Sequence, residues 1–429
     1  MFYFEFNKDK WFKYILLMLL GVYFLGAVLN PSIADAAFLV MFVLGVSTIG
    51  INRKNTHIYQ SEWLLLVLFA SYGVISILSF LIVESGEAAR HRLEDDGKFL
   101  LLIPLYFLLR RHQIRSSYIV YALAVIVCIL GLSSMAQMYS VHPEFKATTR
   151  PSALVNPMRY AAFSLILSIS VIAYLFFKKS SLFERLASSL AFVLGLVACV
   201  LTQTRGVWLS LPILLALALW FYFKHSHKIA SVTLLLFGLL LLLSASQFDV
   251  VKQRINVTSA NLERYLGGDS QSSLGTRLDM YKVCGSLFSD SPFYGNGLNA
   301  YMTKTHELWK SGELNGMSNE LSFRRTPHNE FLMAAVEKGV IGIIFAIAMF
   351  AVPFAIFYRA FWHGNQNARW YGACGLTMVI VLFVAAQTGT IFNHNVFTHF
   401  YIIWVFLFVS QIRQESPEVL DWPKKKDVA

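Results

Sequence analysis

The feature that most constrains this chain is a succession of apolar segments, broken once by a long polar stretch. A bilayer core requires about 20 apolar residues per helix, and segments that reach or approach this length recur along most of the 429 residues. Hydrophobic residues make up 56% of the chain and charged residues only 14%. This composition predicts an all-α polytopic membrane protein.

Twelve membrane helices are predicted, at residues 11–29, 34–50, 62–83, 95–109, 117–139, 157–177, 187–204, 206–223, 229–247, 338–358, 370–390 and 397–412. They divide the chain into helices 1–9 (1–247), a long polar loop (248–329), helices 10–12 (330–412) and a short tail (413–429). The fourth helix contains Pro104, which a membrane helix tolerates where neighbouring elements satisfy the freed backbone groups.

The distribution of lysine and arginine predicts how these helices are oriented. Nineteen of the 36 basic residues fall in one set of short loops and termini, and seven fall in the alternate set. Because cytoplasmic loops carry the excess of positive charge, we expect both termini in the cytoplasm and the 248–329 loop on the outer face. The net charge of +11 reflects this bias and a basic tail, and does not indicate a nucleic-acid partner.

Arg205 is the most unusual charge on the expected outer face. It lies in Thr202-Gln203-Thr204-Arg205-Gly206-Val207-Trp208, between two apolar helices with no room for a loop. An arginine near membrane depth costs a few kcal/mol, so it is expected to face a wet cavity and to meet an anion there. The alternative is a side chain that reaches the outer headgroups or pairs with an internal carboxylate.

Further basic residues flank the same expected face. Arg150 and Arg159 lie on either side of Pro151-Ser152-Ala153-Leu154-Val155-Asn156-Pro157, where they could join an anion site or bind outer-leaflet phosphates. Arg324 and Arg325 end the polar loop, and we also regard them as candidates for substrate binding.

Within the polar loop, residues 272–281 are predicted to begin a helix. Leu274, Leu278 and Tyr281 recur at helical spacing, so one face is expected to pack. Arg277 then lies on another face near the helix N-terminus, where anions are favoured. A solvated surface arginine is the alternative.

His328 follows Pro327 immediately before the next apolar helix. A histidine can accept a proton near neutral pH, as a general base must, and the alternative is a hydrogen-bonded structural residue. Asn329, which follows it, is a further candidate for substrate binding. His306, His394 and His399 are weaker candidates for the base.

Sequence offers little support for a metal site. The four cysteines have no metal-ligand spacing. Glu94-Asp95-Asp96, beside Arg90 and Arg92, could bind a divalent cation, but a locally neutralised and solvated loop is the favoured interpretation. No cofactor is expected.

Five short segments together resemble the O-antigen ligase family, which shares a conserved region with O-antigen polymerases. They are Thr204-Arg205-Gly206-Val207-Trp208, Arg277, Phe293-Tyr294-Gly295-Asn296-Gly297, His328-Asn329 and Glu337-Lys338-Gly339-Val340-Ile341-Gly342. The resemblance covers roughly residues 200–345. The plan of twelve helices with a long loop between helices 9 and 10 is also similar to that of the family.

The resemblance implies a metal-independent glycosyltransferase of the bacterial inner membrane with a periplasmic active site. Its implied donor is a glycan on undecaprenyl pyrophosphate, and its acceptor is a sugar hydroxyl of lipid A–core. Arg205 and Arg277 would stabilise the departing pyrophosphate, because guanidinium groups match phosphate oxygens. His328 would be the general base, and a single displacement would invert the anomeric centre. Membrane lipids are further expected partners.

Three alternatives remain open at this point. A polymerase of the same superfamily would use a second lipid-linked glycan as acceptor, and a protein O-glycosylating transferase would use a protein. A transporter of polyprenyl-linked glycans would bind its cargo without catalysis. Such a protein is expected to show charges deep in several helices or two paired halves, and this sequence shows little of either feature.

Overall fold

The computed structural model describes residues 8–49, 57–82, 87–101, 103–141, 152, 155–224, 259–269, 272–313 and 326–421. Within these ranges the regular structure is helical, with no strand. Eight of the described helices are long and apolar enough to cross a membrane, and two shorter apolar helices accompany them. The prediction of an all-α polytopic membrane protein is therefore confirmed.

The helices are numbered here in chain order. They are α1 Lys8–Leu29, α2 Pro31–Ile49, α3 Gln60–Ile82, α4 Glu87–Leu101, α5 Ile103–Arg111, α6 Ser116–Val141, α7 Pro157–Phe177, α8 Leu182–Leu201, α9 Arg205–Trp208, α10 Ser210–Lys224, α11 Ser273–Asp290, α12 Ala300–Lys310, α13 Glu330–His363, α14 Gln366–Ala386 and α15 Asn395–Glu415. A further short helix occupies 259–266, and a 3-10 turn follows α15 at Pro417–Leu420.

Two predicted membrane helices differ from the structure or cannot be compared with it. The fourth begins earlier than expected, since helical residues are described at Glu87–Leu101 and Ile103–Arg111, and residue 102 lies outside the described residues. The predicted ninth helix, at 229–247, lies outside the described residues.

Helix α15 forms the centre of the bundle. Nearly all of its side chains are buried, including Phe400, Trp404 and Phe408, as expected for a helix that is apolar on every face. Phe400 stacks on Phe163 of α7 with ring centroids 3.8 Å apart. Many leucine, isoleucine and valine side chains of the surrounding helices remain exposed, which is the surface that a lipid environment would cover.

Helix α11 packs onto the start of α13. Its buried face consists of Met280, Val283, Cys284 and Leu287, with Tyr281 packed at the edge. The predicted helix start is confirmed, because Ser272 is the N-cap and its hydroxyl accepts a hydrogen bond from the Gly275 amide at 3.0 Å. Of the predicted packing face, Tyr281 packs against this cluster, whereas Leu274 and Leu278 are not part of it. The cluster instead uses side chains from Met280 onward, which face α13.

Candidate functional site

An open cavity of about 540 Å³ lies at one end of the bundle. Five chain segments meet there: the start of α7, the break between α8 and α9, the second turn of α11, the turn before α13, and the loop between α14 and α15. Its lining residues are Asn156, Met158, Gln203, Thr204, Arg205, Gly206, Arg277, Thr326, His328, Thr388, Gly389, Thr390, His394 and Phe397. Arg205, Arg277 and His328, which sequence reasoning selected separately, therefore share one cavity.

Arg205 enters the cavity because the chain breaks between α8 and α9. Helix α8 ends at Leu201, and Gln203 has a left-handed φ of 55°, a conformation uncommon for residues other than glycine. Gly206 lets this turn approach the loop after α14, since a Cβ there would lie 2.6 Å from the Thr388 hydroxyl oxygen. Arg205 is thus the first residue of α9 and has a fixed position in the cavity wall.

Arg277 approaches from the polar loop. It lies on the second turn of α11, and the helix is anchored beyond this point by Met280 and Val283, which belong to one buried cluster with Met333 and Val336. The Arg277 Nε atom is buried and has no hydrogen-bond partner among the described residues. A buried donor without a partner is costly, so a ligand oxygen at this position would remove an existing penalty.

His328 is held in a strained backbone conformation at the entrance to α13. Its φ is 51°, and such strain in a residue other than glycine is frequent at functional sites. Asn329 caps α13, because its side-chain oxygen accepts from the Phe331 and Leu332 amides at 2.9 and 3.1 Å. Burial, and next the positive charge of Arg277, lower the pKa of His328 below its ordinary value. The imidazole is therefore neutral and able to accept a proton at neutral pH.

His394 is a second histidine of the same cavity. It precedes α15 but makes no side-chain capping hydrogen bond. Burial, then the charges of Arg159, Arg92 and His328, lower the pKa of His394 to about 4. From sequence, His394 is only a weaker candidate for the base, because the residues on either side of it do not indicate which side chains it will contact.

A buried ionic network lies beside the cavity. Arg92 pairs with Asp96 at 2.8 Å and with Glu337 at 3.1 Å, and Lys338 pairs with Asp96 at 2.6 Å. All four side chains are at most 4% exposed. The interpretation of residues 94–96 as a solvated loop was therefore wrong, since they belong to α4 and Asp96 is buried between two cations.

The network also fixes the loop that supplies much of the cavity wall. Arg92 donates to the Phe392 carbonyl at 2.9 Å. Glu330 accepts from the Ile391 and Phe392 amides at 2.6 and 3.0 Å. The amide and carbonyl groups of Phe392 and the amide of Ile391 are thus all hydrogen-bonded. These contacts set the position of the loop from Thr388 to His394.

Comparison with known proteins finds sequence similarity to O-antigen ligases. Residues 190–347 match the family model described as O-Antigen ligase. The chain is 29% identical over 289 residues to the O-antigen ligase of Escherichia coli strain K12, which covers 66% of this chain and 64% of that protein. It is also 23% identical over 406 residues to an uncharacterized protein of Haemophilus influenzae, covering 94% of this chain and 99% of that protein.

Residues 190–347 therefore resemble the O-antigen ligase family, and the longer alignment with the Escherichia coli protein agrees with that similarity. The matched segment contains Arg205, Arg277 and His328, together with Glu337 and Lys338 of the buried network. The resemblance seen in the short motifs is therefore confirmed.

Two glycine-containing motifs of the O-antigen ligase segment bind each other rather than a ligand. The Asn296 amide donates to the Val336 carbonyl at 2.8 Å, and the Val340 amide donates to the Pro292 carbonyl at 2.8 Å. Gly339 has a φ of 64°, and a Cβ there would lie 2.5 Å from the backbone of Phe293. The turn after α11 thus docks at a kink in α13, and this contact helps to place α11 beside the cavity.

Of the other arginines predicted to bind substrate, one lies next to a cavity residue and three lie outside the described residues. Arg159 is the third residue of α7, and its guanidinium carbon is 5.8 Å from the ring centre of Phe397, a cavity residue. Arg150, Arg324 and Arg325 lie outside the described residues.

A divalent-cation site at residues 94–96 is not supported by the contacts of these side chains. Asp96 pairs with Arg92 and Lys338, Asp95 pairs with Lys98 at 2.8 Å, and Glu94 lies 3.6 Å from His91. More generally, no group of three or more His, Cys, Asp or Glu side chains in the described ranges is placed to hold a metal ion.

Proposed function

We propose that this chain is an inverting, metal-independent glycosyltransferase that transfers O-antigen glycan from undecaprenyl pyrophosphate to a sugar hydroxyl of lipid A–core. The observation that carries the proposal is the meeting of two guanidinium groups and a neutral imidazole in one cavity whose described lining contains no carboxylate. Such a cavity is suited to an anionic leaving group and to a hydroxyl nucleophile that must lose a proton.

In the proposed reaction, Arg205 and Arg277 bind the pyrophosphate of the donor. The acceptor oxygen attacks the anomeric carbon as the bond from that carbon to the pyrophosphate oxygen breaks. Charge therefore accumulates on the leaving group, where fixed donors stabilise the transition state most effectively. His328 takes the hydroxyl proton, which is consistent with its lowered pKa, because a neutral imidazole is the form that acts as a base.

The proposal places the active site on the periplasmic face of the bacterial inner membrane. The excess of lysine and arginine in one set of loops supports cytoplasmic termini, twelve membrane helices and a periplasmic 248–329 loop. The cavity lies at the bundle end where α7, α13 and α15 begin. In this orientation that end faces the periplasm, and a long polyprenyl chain can lie in lipid beside it.

The deciding experiment is the lipopolysaccharide profile of a strain in which the gene is deleted. A ligase predicts rough lipopolysaccharide, which wild-type protein restores and a His328→Ala variant does not. A single repeat unit on the core would instead indicate a polymerase, and full-length ladders would contradict both. Transfer by purified protein without nucleotide, and in the presence of EDTA, would distinguish an enzyme from a transporter.

A further inference from the structure

A cluster of buried polar atoms without partners lies next to the cavity. It is formed by Tyr23 of α1, Asp35 of α2, Arg159 of α7 and His399 of α15. The Tyr23 hydroxyl, Asp35 Oδ1, Arg159 Nε and both ring nitrogens of His399 are buried and have no hydrogen-bond partner among the described residues. Buried polar groups are otherwise almost always paired, so five such atoms at one place point to a missing ligand.

These side chains are close to one another. His399 Nδ1 lies 3.6 Å from Asp35 Oδ1, which is longer than a hydrogen bond but within reach of an ion pair when the imidazole is protonated. Tyr23 interacts electrostatically with both Asp35 and Arg159. Tyr23 is fully buried and His399 is 4% exposed, whereas the Asp35 side chain is 48% exposed. The cluster therefore has a buried floor and an accessible rim.

The cluster also adjoins the catalytic cavity. The Arg159 guanidinium lies over Phe397, and the His394 ring centre is 6.4 Å from that of Phe397. Both Phe397 and His394 line the cavity. The helices concerned agree with this placement, since α2, α7 and α15 contribute residues from their first two turns and α1 contributes one from its second half.

The chemistry of the cluster differs from that of the cavity. Arg159 and Asp35 balance in charge, so the cluster does not favour a phosphate as the paired arginines of the cavity do. It offers hydrogen-bond donors from Arg159, an acceptor from Asp35, and groups of both kinds from Tyr23 and His399. Neighbouring hydroxyl groups of a sugar ring each donate and accept, and they complement such a mixed set.

We propose that Tyr23, Asp35, Arg159 and His399 form a subsite for the hydroxyl groups of an uncharged sugar ring next to the reaction centre. This inference rests on the proposed glycosyl transfer. The ring belongs to lipid A–core or to the donor glycan, since both carry the same hydroxyl chemistry.

Two conservative substitutions test the subsite. Asp35→Asn removes the charged acceptor at the accessible rim. Tyr23→Phe removes only a hydroxyl that has no hydrogen-bond partner among the described residues, so the fold should lose no stability. Tyr14→Phe is the matched control, because Tyr14 lies on α1 at the opposite end and is 43% exposed. Each variant is purified as the full chain, and its melting temperature is measured.

Equilibrium binding of two probes is then measured separately: rough lipopolysaccharide and an undecaprenyl-pyrophosphate-linked glycan. We expect Asp35→Asn to weaken binding of one probe about tenfold and Tyr23→Phe to weaken the same probe several-fold, as loss of one hydrogen bond implies. The melting temperatures should be unchanged, and Tyr14→Phe should bind both probes like the wild type. Weakened lipopolysaccharide binding would assign the ring to the acceptor, and weakened glycan binding would assign it to the donor.

Unchanged affinity for both probes would overturn the subsite, as would a fall in melting temperature without a change in affinity, which would indicate a hydrated packing contact. Binding of neither probe by the wild type would overturn it as well. Transfer activity is scored in a separate assay. A protein that binds a sugar probe through Asp35 but transfers nothing would retain the subsite and refute the proposed function.

Discussion

Replacing Arg277 by lysine keeps a positive charge at the cavity but removes the planar fork that can hold two phosphate oxygens. The Arg277 Nε atom is buried without a partner among the described residues, so the substitution removes no protein contact through that atom. It does remove one charge-assisted hydrogen bond to a bound pyrophosphate, worth about 1.5–3 kcal/mol. If that bond is formed in the transition state, the rate falls roughly 10- to 150-fold. The melting temperature should stay within a few degrees of the wild type.

The assay is kcat/KM for transfer from lipid-linked glycan to rough lipopolysaccharide by purified protein. Arg264→Lys is the matched control, because Arg264 lies in the same polar loop, is 54% exposed and pairs with Asp269; its effect should be below about twofold, as for exposed ion pairs. Arg205→Lys should resemble Arg277→Lys.

The double variant of Arg205 and Arg277 tests whether both side chains act on the same group. Residues that share a partner show non-additive effects, whereas independent sites add. Retention of more than half of the wild-type kcat/KM in Arg277→Lys would refute the assignment of this guanidinium to the pyrophosphate. Simple additivity with Arg205→Lys would refute a shared diphosphate.

Three further predictions concern the base and its support. His328→Ala should abolish transfer in a folded protein. The kcat/KM of the wild type should fall on acidification with a midpoint below pH 6.5, because burial lowers the pKa of His328 and only the neutral ring accepts a proton. A midpoint above pH 7 would contradict this role. Glu337→Gln should destabilise the protein by about 3–5 kcal/mol, as loss of one partner of a buried pair does, because Arg92 then loses a carboxylate at 3.1 Å. A shift in melting temperature of less than 2 °C in detergent would argue against this role of Glu337. Gly339→Ala should lower both stability and activity, because the φ of 64° at Gly339 and its contact with Phe293 exclude a Cβ. A melting temperature equal to that of the wild type would show instead that the kink in α13 can relax.

The catalytic candidates could be predicted from sequence because each is anomalous in its local context. Arg205 interrupts apolar sequence, His328 follows a proline at a helix start, and Arg277 lies early in a helix that apolar residues at helical spacing predict. Their convergence could not be derived from local pattern, since 123 positions separate the first from the last in the chain. Only the order and spacing of the short motifs suggested it.

The buried network shows what local reasoning misses. Arg92 and Asp96 are four residues apart, and this spacing is typical of an ion pair on a helix. That signal was present, but it suggests a solvated pair unless the partners Glu337 and Lys338, more than 240 positions away, are known. Similarly, His394 becomes a cavity residue only because Glu330 and Arg92 fix the loop that carries it.

This network also explains how carboxylates can lie so near the cavity without neutralising it. Asp96 and Glu337 are engaged by Arg92 and Lys338, and one oxygen of Glu330 is engaged by two backbone amides. The bonded oxygens of these three groups point into the protein scaffold, and none of the three is among the described residues that line the cavity. The described lining of the cavity thus holds Arg205 and Arg277 without a carboxylate, which suits the binding of a diphosphate. It follows that introducing a carboxylate at the wall, for example Thr388→Asp opposite Gly206, should inhibit transfer far more than the isosteric Thr388→Asn. Equal effects of the two substitutions on kcat/KM would show that space rather than charge governs the site.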